Sequence, residues 1–294
     1  MTNQNAPTSL RAFAARLRAC RSFFLTPASQ PARFSAARAQ GGDAIIVDLE
    51  STVSPGDKGR ARDAALAYLR EPAEAGLIRI LRINSPRTIE GLRDLLALCE
   101  RGGRPDAVII PKCQSADEIR LVAEILDGPQ SAIAFVPMVE LARAVFVAHL
   151  IADANERVCG LFLGGGDLAA DLGAEGSWEN LLFARSRIVA AAATTAIAAI
   201  DVPYFKGDEA GLKAEASASR KLGMTGKAAL HPEQLAVINT LFTPSPEAVT
   251  HARGVKAACA AARNGAAPAL NGHVIEPAMV READRVLAIA ERTS

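Results

Sequence analysis

The sequence has almost no excess of either charge: 33 basic residues stand against 32 acidic ones in 294, a formal net charge of +1. A surface without a dominant sign offers no global field for nucleic acid or an anionic membrane, so the expected partners are small molecules and other subunits. The five cysteines, Cys20, Cys99, Cys113, Cys159 and Cys259, are odd in number and form no CxxC pair. That pattern disfavours a disulfide framework or a zinc knuckle and fits a reducing cytoplasm. No long apolar run is present either. The most hydrophobic stretch, residues 133–152, is broken by Pro137, Glu140, Arg143 and His149, too much charge for a bilayer span. The first 42 residues lack any acid and carry several arginines, as transit peptides do, yet no apolar h-region marks a secretory signal. A frayed or helical extension is expected over residues 1–20. Neither GxGxxG nor GxxxxGK[ST] occurs, which removes two phosphate-loop fingerprints. There is no internal repeat, and the only biased tract is an expected alanine-rich helix around residues 190–199.

What is present is core material. Half the residues are hydrophobic and 22% are charged, enough for a large buried interior. Short apolar runs rich in branched residues occur at 22–27, 44–50, 78–84, 107–112, 132–140, 159–167, 198–203 and 227–232. Near-continuous hydrophobicity suits parallel strands covered on both faces, and helical patterns lie between the runs, for example over 88–100 and 116–126. Eight such alternations predict an α/β fold of the (β/α)8 TIM-barrel type over residues 21–243, with an open doubly wound sheet as the alternative. The remainder, 244–294, exceeds what a barrel needs: a proline-rich turn "FTPSPEAV", a helical stretch to about residue 264, a Gly/Ala-rich loop and a second apolar helix in "MVREADRVLAIA".

A parallel barrel places its active site at the C-terminal ends of the strands, so polar residues that close apolar runs are the candidates. These are Asp48 and Glu50 in "IIVDLE", Arg82 and Asn84 in "LRIN", Lys112 in "IIPK", Glu140 in "VPMVE", Asp167 in "LFLGGGD" and His231 in "ALHP". Glu140 and Asp167, expected at adjacent strand ends, suit Mg²⁺, a hard cation that takes one or two carboxylates plus water and substrate oxygens. Gly164, Gly165 and Gly166 then let substrate oxygens approach the backbone, whose amides bind a carboxylate. Each residue also has a plainer reading. Asp167 fits a helix N-cap, Glu140 a pair with Arg143, and Arg82 a structural ion pair. Lys112 fits a salt bridge as well as a Schiff base, and His231 a hydrogen-bonded turn as well as a base. Cys113 and Cys159, beside strands, are expected to be buried and inert.

Taken in order, "CRSFFLTPASQPARFSAARAQGGDAIIVDLESTV", "LRINSP", "AVIIPK", "VPMVELARAV", "GLFLGGGDLAADLG", "GKAALHP" and "NGHVIEPAMVREADRVL" resemble the citrate lyase β-subunit family of the HpcH/HpaI aldolase superfamily. The resemblance runs from about residue 20 to the C-terminus. It implies a Mg²⁺-dependent barrel, Mn²⁺ being an alternative metal, that makes or breaks a carbon–carbon bond between a 2-oxo acid and an acyl-CoA enolate, as malyl-CoA and citramalyl-CoA lyases do. It assigns Glu140 and Asp167 to the metal, Arg82 to the enolate oxygen, and Gly164, Gly165 and Gly166 to the oxo acid's carboxylate. Asp48 and Glu50 join the substrate-binding group. It also implies a homo-oligomer, a trimer or hexamer, in which the C-terminal segment of one subunit caps its neighbour's site through the acid at Glu276. Two positions depart from the family pattern. "DLEDAV" reads "DLESTV" here, with Ser51 in place of an acid, and the usual aspartate at 276 is Glu276, a side chain longer by about 1.5 Å, enough to matter for proton transfer. An aldolase acting on free hydroxy-oxo acids and a binding barrel without turnover remain alternative readings.

Overall fold

The computed structural model describes residues 8–35, 39–262 and 268–293. All eight apolar runs are strands: β1 Ser22–Pro27, β2 Ala44–Asp48, β3 Ile78–Arg82, β4 Ala107–Ile110, β5 Ala134–Val139, β6 Gly160–Leu163, β7 Ala198–Asp201 and β8 Gly226–Ala229. They pair in parallel in chain order, and β8 returns to β1 to close the barrel. Closure excludes the open sheet. Most strands are shorter than the runs that predicted them, because the last residues of those runs turn out of the sheet to build the rim.

Side chains alternate across a strand. Ala44 and Ile46, Ile78 and Ile80, and Ala134, Val136 and Met138 fill the barrel interior. One step further on the same phase stand Asp48, Arg82 and Glu140, so the polar groups form the top interior layer. The opposite set, including Ile45, Val47, Leu81 and Val139, packs under the outer helices. Those helices are α2 Lys58–Arg70, α3 Ile89–Arg101, α4 Ala116–Ile125, α5 Ala142–Ala152, α6 Gly165–Leu172, α7 Leu182–Thr195, α8 Glu209–Leu222 and α9 Glu233–Phe242. Thr88 caps α3 by accepting from the Gly91 amide at 3.1 Å, and Ser115 caps α4 by accepting from the Glu118 amide at 3.4 Å. The alanine-rich tract is not one helix: α7 ends at Thr195, Ala196 adopts a left-handed φ of 59°, and the chain re-enters the sheet at Ala198.

At the barrel's opposite end α1, Thr8–Arg18, lies across the mouth, and its Leu10 and Leu17 join the interior cluster. The helical N-terminal extension is thus a floor; residues 1–7 lie outside the described ones. Beyond α9 the tail forms α10 Pro246–Ala261, a two-stranded hairpin of Ala269–Leu270 and His273–Val274, and α11 Pro277–Thr293. Half of "FTPSPEAV" is helical, because Ser245 accepts from the Ala248 amide at 3.2 Å with Pro246 at the first helical position. The expected Gly/Ala-rich loop falls largely on 263–267, outside the described residues. The tail has its own small core of Ala252, Val255, Ile275, Ala283 and Val286. Its last turn is tied to the barrel base by Arg292, whose Nη2 donates to the carbonyls of Asp43 and Gly76, both at 2.9 Å. Among the described residues no helix is long and apolar enough to cross a membrane.

Candidate active site

Asp48 and Arg82, partners across the β2–β3 register, form a buried clamp. Asp48 Oδ1 accepts from Arg82 Nε at 2.6 Å and from the Glu50 amide at 2.8 Å. Its Oδ2 accepts from Arg82 Nη2 at 2.8 Å and from the Thr52 amide at 3.0 Å and hydroxyl. Burial works against both charges, yet the pairing outweighs it: the Asp48 carboxyl is held below its ordinary pKa and the Arg82 guanidinium above its own. Asp48 was expected among the substrate-binding residues. With its lone pairs occupied and no exposed surface, it holds Arg82 instead.

The clamp takes one edge of the guanidinium and leaves the other. Nη2 also donates to Ser51 Oγ at 2.6 Å, so the residue that departs from the family pattern is a neutral acceptor on Arg82. Nη1 lies 3.5 Å from Glu50 Oε2, and Glu140 adds to the acidic field on the guanidinium. One N–H edge therefore faces the rim, fixed in direction by Asp48. Behind it Lys58 Nζ donates to the carbonyls of Leu49 and Glu50, both at 2.6 Å, and to Asn84 Oδ1 at 2.7 Å, stapling the two loops together. Asn84, a rim candidate, is buried and donates from its amide and Nδ2 to Asp94 Oδ2 at 2.8 and 2.7 Å. Asp94 pairs with Arg62 at 2.6 Å. Sequence reading missed Lys58 and Asp94. Lys58 begins an outer helix and looks like any surface lysine, but Asp94 falls on the buried stripe of α3 with Gly91, Leu95 and Leu98, a misplaced acid that periodicity exposes.

On the facing side Glu140 is buried, with Oε1 accepting from the Lys112 amide at 2.6 Å. Burial pushes its carboxyl up to about 7, against the pull of Lys112 and with further upward pressure from Asp167 and Glu50. No pair with Arg143 forms among the described residues. Asp167 corrects an expectation. β6 stops at Leu163, and Asp167 sits in the first turn of α6, half-exposed, with Oδ1 2.8 Å from Lys112 Nζ. It is neither a strand terminus nor the N-cap, which is Gly164. The salt-bridge reading of Lys112 holds, and the Asp167 partnership raises its pKa despite partial burial.

The three glycines have three jobs. Gly164 faces Glu140 so closely that a Cβ there would overlap Glu140 Cβ and Oε2, while its amide is spent on the Val139 carbonyl at 3.1 Å. The expectation that its N–H binds substrate is therefore corrected. Gly165 leaves no room for a Cβ beside Val202 Cγ1, at 2.8 Å, and Gly166 has open space. The amides of Gly165 and Gly166 open α6, where N–H groups lack intrahelical acceptors and favour an anion. His231 is exposed and stands apart, beside a cavity of about 230 Å³ lined by Tyr204, Phe205 and Asp208. Cys113 and Cys159 are buried, and burial pushes their thiols up to about 12. Glu276 is exposed just before α11.

Among the described residues no group of three or more acids, histidines or cysteines forms a metal cage. Glu140 and Asp167 instead offer two hard carboxylates beside a cleared glycine, already bridged by the cationic Lys112. That donor set fits a Mg²⁺ ion that keeps most of its sphere for water and ligand oxygens.

Residues 21–232 match the family described as HpcH/HpaI aldolase/citrate lyase. The chain is 33% identical to an L-malyl-CoA/beta-methylmalyl-CoA lyase of Cereibacter sphaeroides over 91% of this chain and 93% of that one. It is 34% identical to citrate lyase subunit beta of Escherichia coli K12, over 94% and 95% respectively. Among solved structures, CitE from Mycobacterium tuberculosis in complex with magnesium, acetoacetate and coenzyme A superposes with a TM-score of 0.73 at 30% identity, covering 94% of this chain and 100% of that one. With its closed barrel and two-carboxylate rim, the chain belongs to the HpcH/HpaI aldolase/citrate lyase family and is a carbon–carbon lyase.

Proposed function

We propose that the protein cleaves, or in reverse forms, a β-hydroxyacyl-CoA such as malyl-CoA or citramalyl-CoA, yielding a 2-oxo acid and acetyl-CoA, with Mg²⁺ as cofactor. The observation that carries this reading is the split use of Arg82: Asp48 fixes Nε and Nη2, and Nη1 has a looser contact, 3.5 Å from Glu50 Oε2. In cleavage the β-hydroxyl proton passes to solvent, the carbon–carbon bond breaks and its electron pair moves onto the thioester oxygen, so a fixed cationic N–H must meet the enolate oxygen. Arg82 Nη1 supplies it. The Gly165 and Gly166 amides hold the oxo acid's carboxylate at the start of α6. Glu140 and Asp167 would hold Mg²⁺, whose Lewis acidity would supply polarisation of the oxygen that becomes the keto group. The relatives named for malyl-CoA and citrate chemistry, and the relative crystallised with magnesium and coenzyme A, support the substrate class. Incubating the protein with a panel of hydroxyacyl-CoA thioesters, with Mg²⁺ or EDTA, and reading products by mass spectrometry tests it. Metal-dependent release of acetyl-CoA is expected; cleavage of free 4-hydroxy-2-oxo acids alone would transfer the assignment to an aldolase.

The titration of Glu140 gives this reading a pH signature. Its carboxyl is raised to about 7, so below that pH a proton must be displaced for metal to bind. Apparent Mg²⁺ affinity is expected to fall roughly tenfold per pH unit below about 7 and to level off above it. The same raised pKa means that the metal-free protein loses stability as pH rises through about 7, and metal restores it. Calorimetry from pH 5.5 to 8.5 checks the slope, and a flat affinity across that range refutes it.

The reading extends to an assembly. Residues 21–243 act as the catalytic barrel, 244–294 as a cap on a neighbour in a trimer or hexamer, and Glu276 of one subunit delivers the proton to the acyl-CoA carbon of the next, in the cytoplasm. Supporting this, α11 is tied to its own barrel base at Arg292, and the helix is about 25 Å long, with Glu276 at its other end. Inactive Arg82→Ala and Glu276→Ala subunits, mixed under verified exchange, should regain part of the activity, since some sites then combine an intact Arg82 with an intact Glu276. No recovery, or full activity in Glu276→Ala, rules the shared site out.

A further inference from the structure

Lys112 touches three acids of the rim. Its amide donates to Glu140 at 2.6 Å, its ammonium lies 2.8 Å from Asp167 Oδ1, and Glu50 Oε1 is 3.8 Å from the same nitrogen. The backbone there is unusual, with a φ of 55° in the left-handed region at a residue with a full side chain. Such strain persists only where surroundings impose it, and this turn aims both the N–H and the side chain into the acid cluster. Glu50 stands between two cations, 3.5 Å from Arg82 Nη1 on one side and Lys112 on the other.

We propose that Lys112 is an internal stand-in for the metal: its ammonium neutralises Asp167 while no divalent cation is bound, and on metal binding it passes to Glu50. This rests on the reading of Glu140 and Asp167 as metal ligands. A dication on Asp167 repels the ammonium and competes with it for the carboxylate, and the nearest acceptor with unspent capacity is Glu50. Asp48 is saturated and Ser51 carries no charge, so Glu50 is the only acid of the β2 loop that can receive it. Drawn toward Lys112, Glu50 loosens its hold on Arg82 Nη1, the N–H edge that serves the substrate. Metal loading thereby releases the arginine from competition. Lys112 is a positioning residue, acting through Glu50 and Asp167.

The test is Mg²⁺ binding by calorimetry on EDTA-treated full-length protein at pH 8.5, where proton competition for Glu140 is removed. Lys112→Met, which deletes the competing cation, should bind Mg²⁺ about five- to tenfold tighter, the scale of a partly exposed ion pair plus relief of like-charge repulsion. Lys112→Gln repeats the measurement should methionine perturb the turn, and Lys112→Arg should retain the wild-type value. Glu50→Gln should weaken Mg²⁺ binding, because the displaced ammonium loses its acceptor, and should have no such effect in the Lys112→Met background. No gain of affinity in either neutral variant, or an undiminished Glu50→Gln effect in the double variant, overturns the inference, provided that Asp167→Asn loses Mg²⁺ binding. Wild-type affinity in Asp167→Asn overturns the metal-site reading and this inference with it.

Discussion

Arg82→Lys is expected to lower kcat by about 10²- to 10³-fold with little change in KM, the loss of one fixed donor to developing charge. The substitution keeps the charge and removes the fork. In the native site Nε and Nη2 are held by Asp48 and Ser51, which leaves Nη1 as a third, independently aimed donor. A lysine has a single head on a flexible stem, and the fully buried Asp48 claims it. The two states of the reaction then separate: substrate binding, which relies on amides and metal elsewhere on the rim, survives, while the enolate loses its N–H. Arg82→Ala does more damage, because it strands the Asp48 carboxylate, at a cost of about 3–5 kcal/mol in stability. Steady-state kinetics with a cleaved thioester, together with thermal melts of both variants, checks this. A lysine variant with near-normal kcat removes Arg82 from the chemistry.

Gly164→Ala should abolish Mg²⁺-dependent turnover although it adds one methyl group. The new Cβ would overlap the Cβ and Oε2 of Glu140, and neither backbone can retreat, since the Gly164 amide is bonded to Val139 in the neighbouring strand. Glu140 must leave its rotamer and with it the oxygen offered to the metal. Overpacking of this kind costs about 1–3 kcal/mol, so the variant should fold with a lowered melting temperature. Gly166→Ala is the matched control, with nothing within 4 Å of the added carbon, and should keep both its stability and its metal. Equal metal affinity in the two variants contradicts the glycine's assigned role.

The strands were legible because burial on both faces leaves no polar phase: runs such as "AIIV" and "AVII" are apolar at every position, and only a covered parallel strand needs that. Glu140 and Arg82 were legible for the same reason, as the first polar residues on the inward phase. Asp167 was expected at a strand end and lies instead in the first turn of α6. Three glycines remove the side chains by which a strand end and a helix start are told apart, and the chain begins winding at Gly165. The left-handed backbone at Lys112 had no signal, since glycine or asparagine is the usual mark of that conformation and lysine is not. Asp48 ended a strand as a substrate ligand would. Only the register that sets it opposite Arg82 shows that its charge is already consumed.

The floor made by α1 has a kinetic consequence. Leu10 and Leu17 pack into an interior cluster whose side chains fill the barrel, so ligands reach the polar rim from the opposite end alone. On the proposed function, Glu140 and the opening amides of α6 serve the metal and the oxo acid, which leaves the thioester, with its long carrier arm, the space outside them. In the synthetic direction the oxo acid therefore enters first and the thioester second. In cleavage acetyl-CoA departs before the oxo acid. Product-inhibition patterns should show that compulsory order, with the oxo acid as the first substrate on and the last product off.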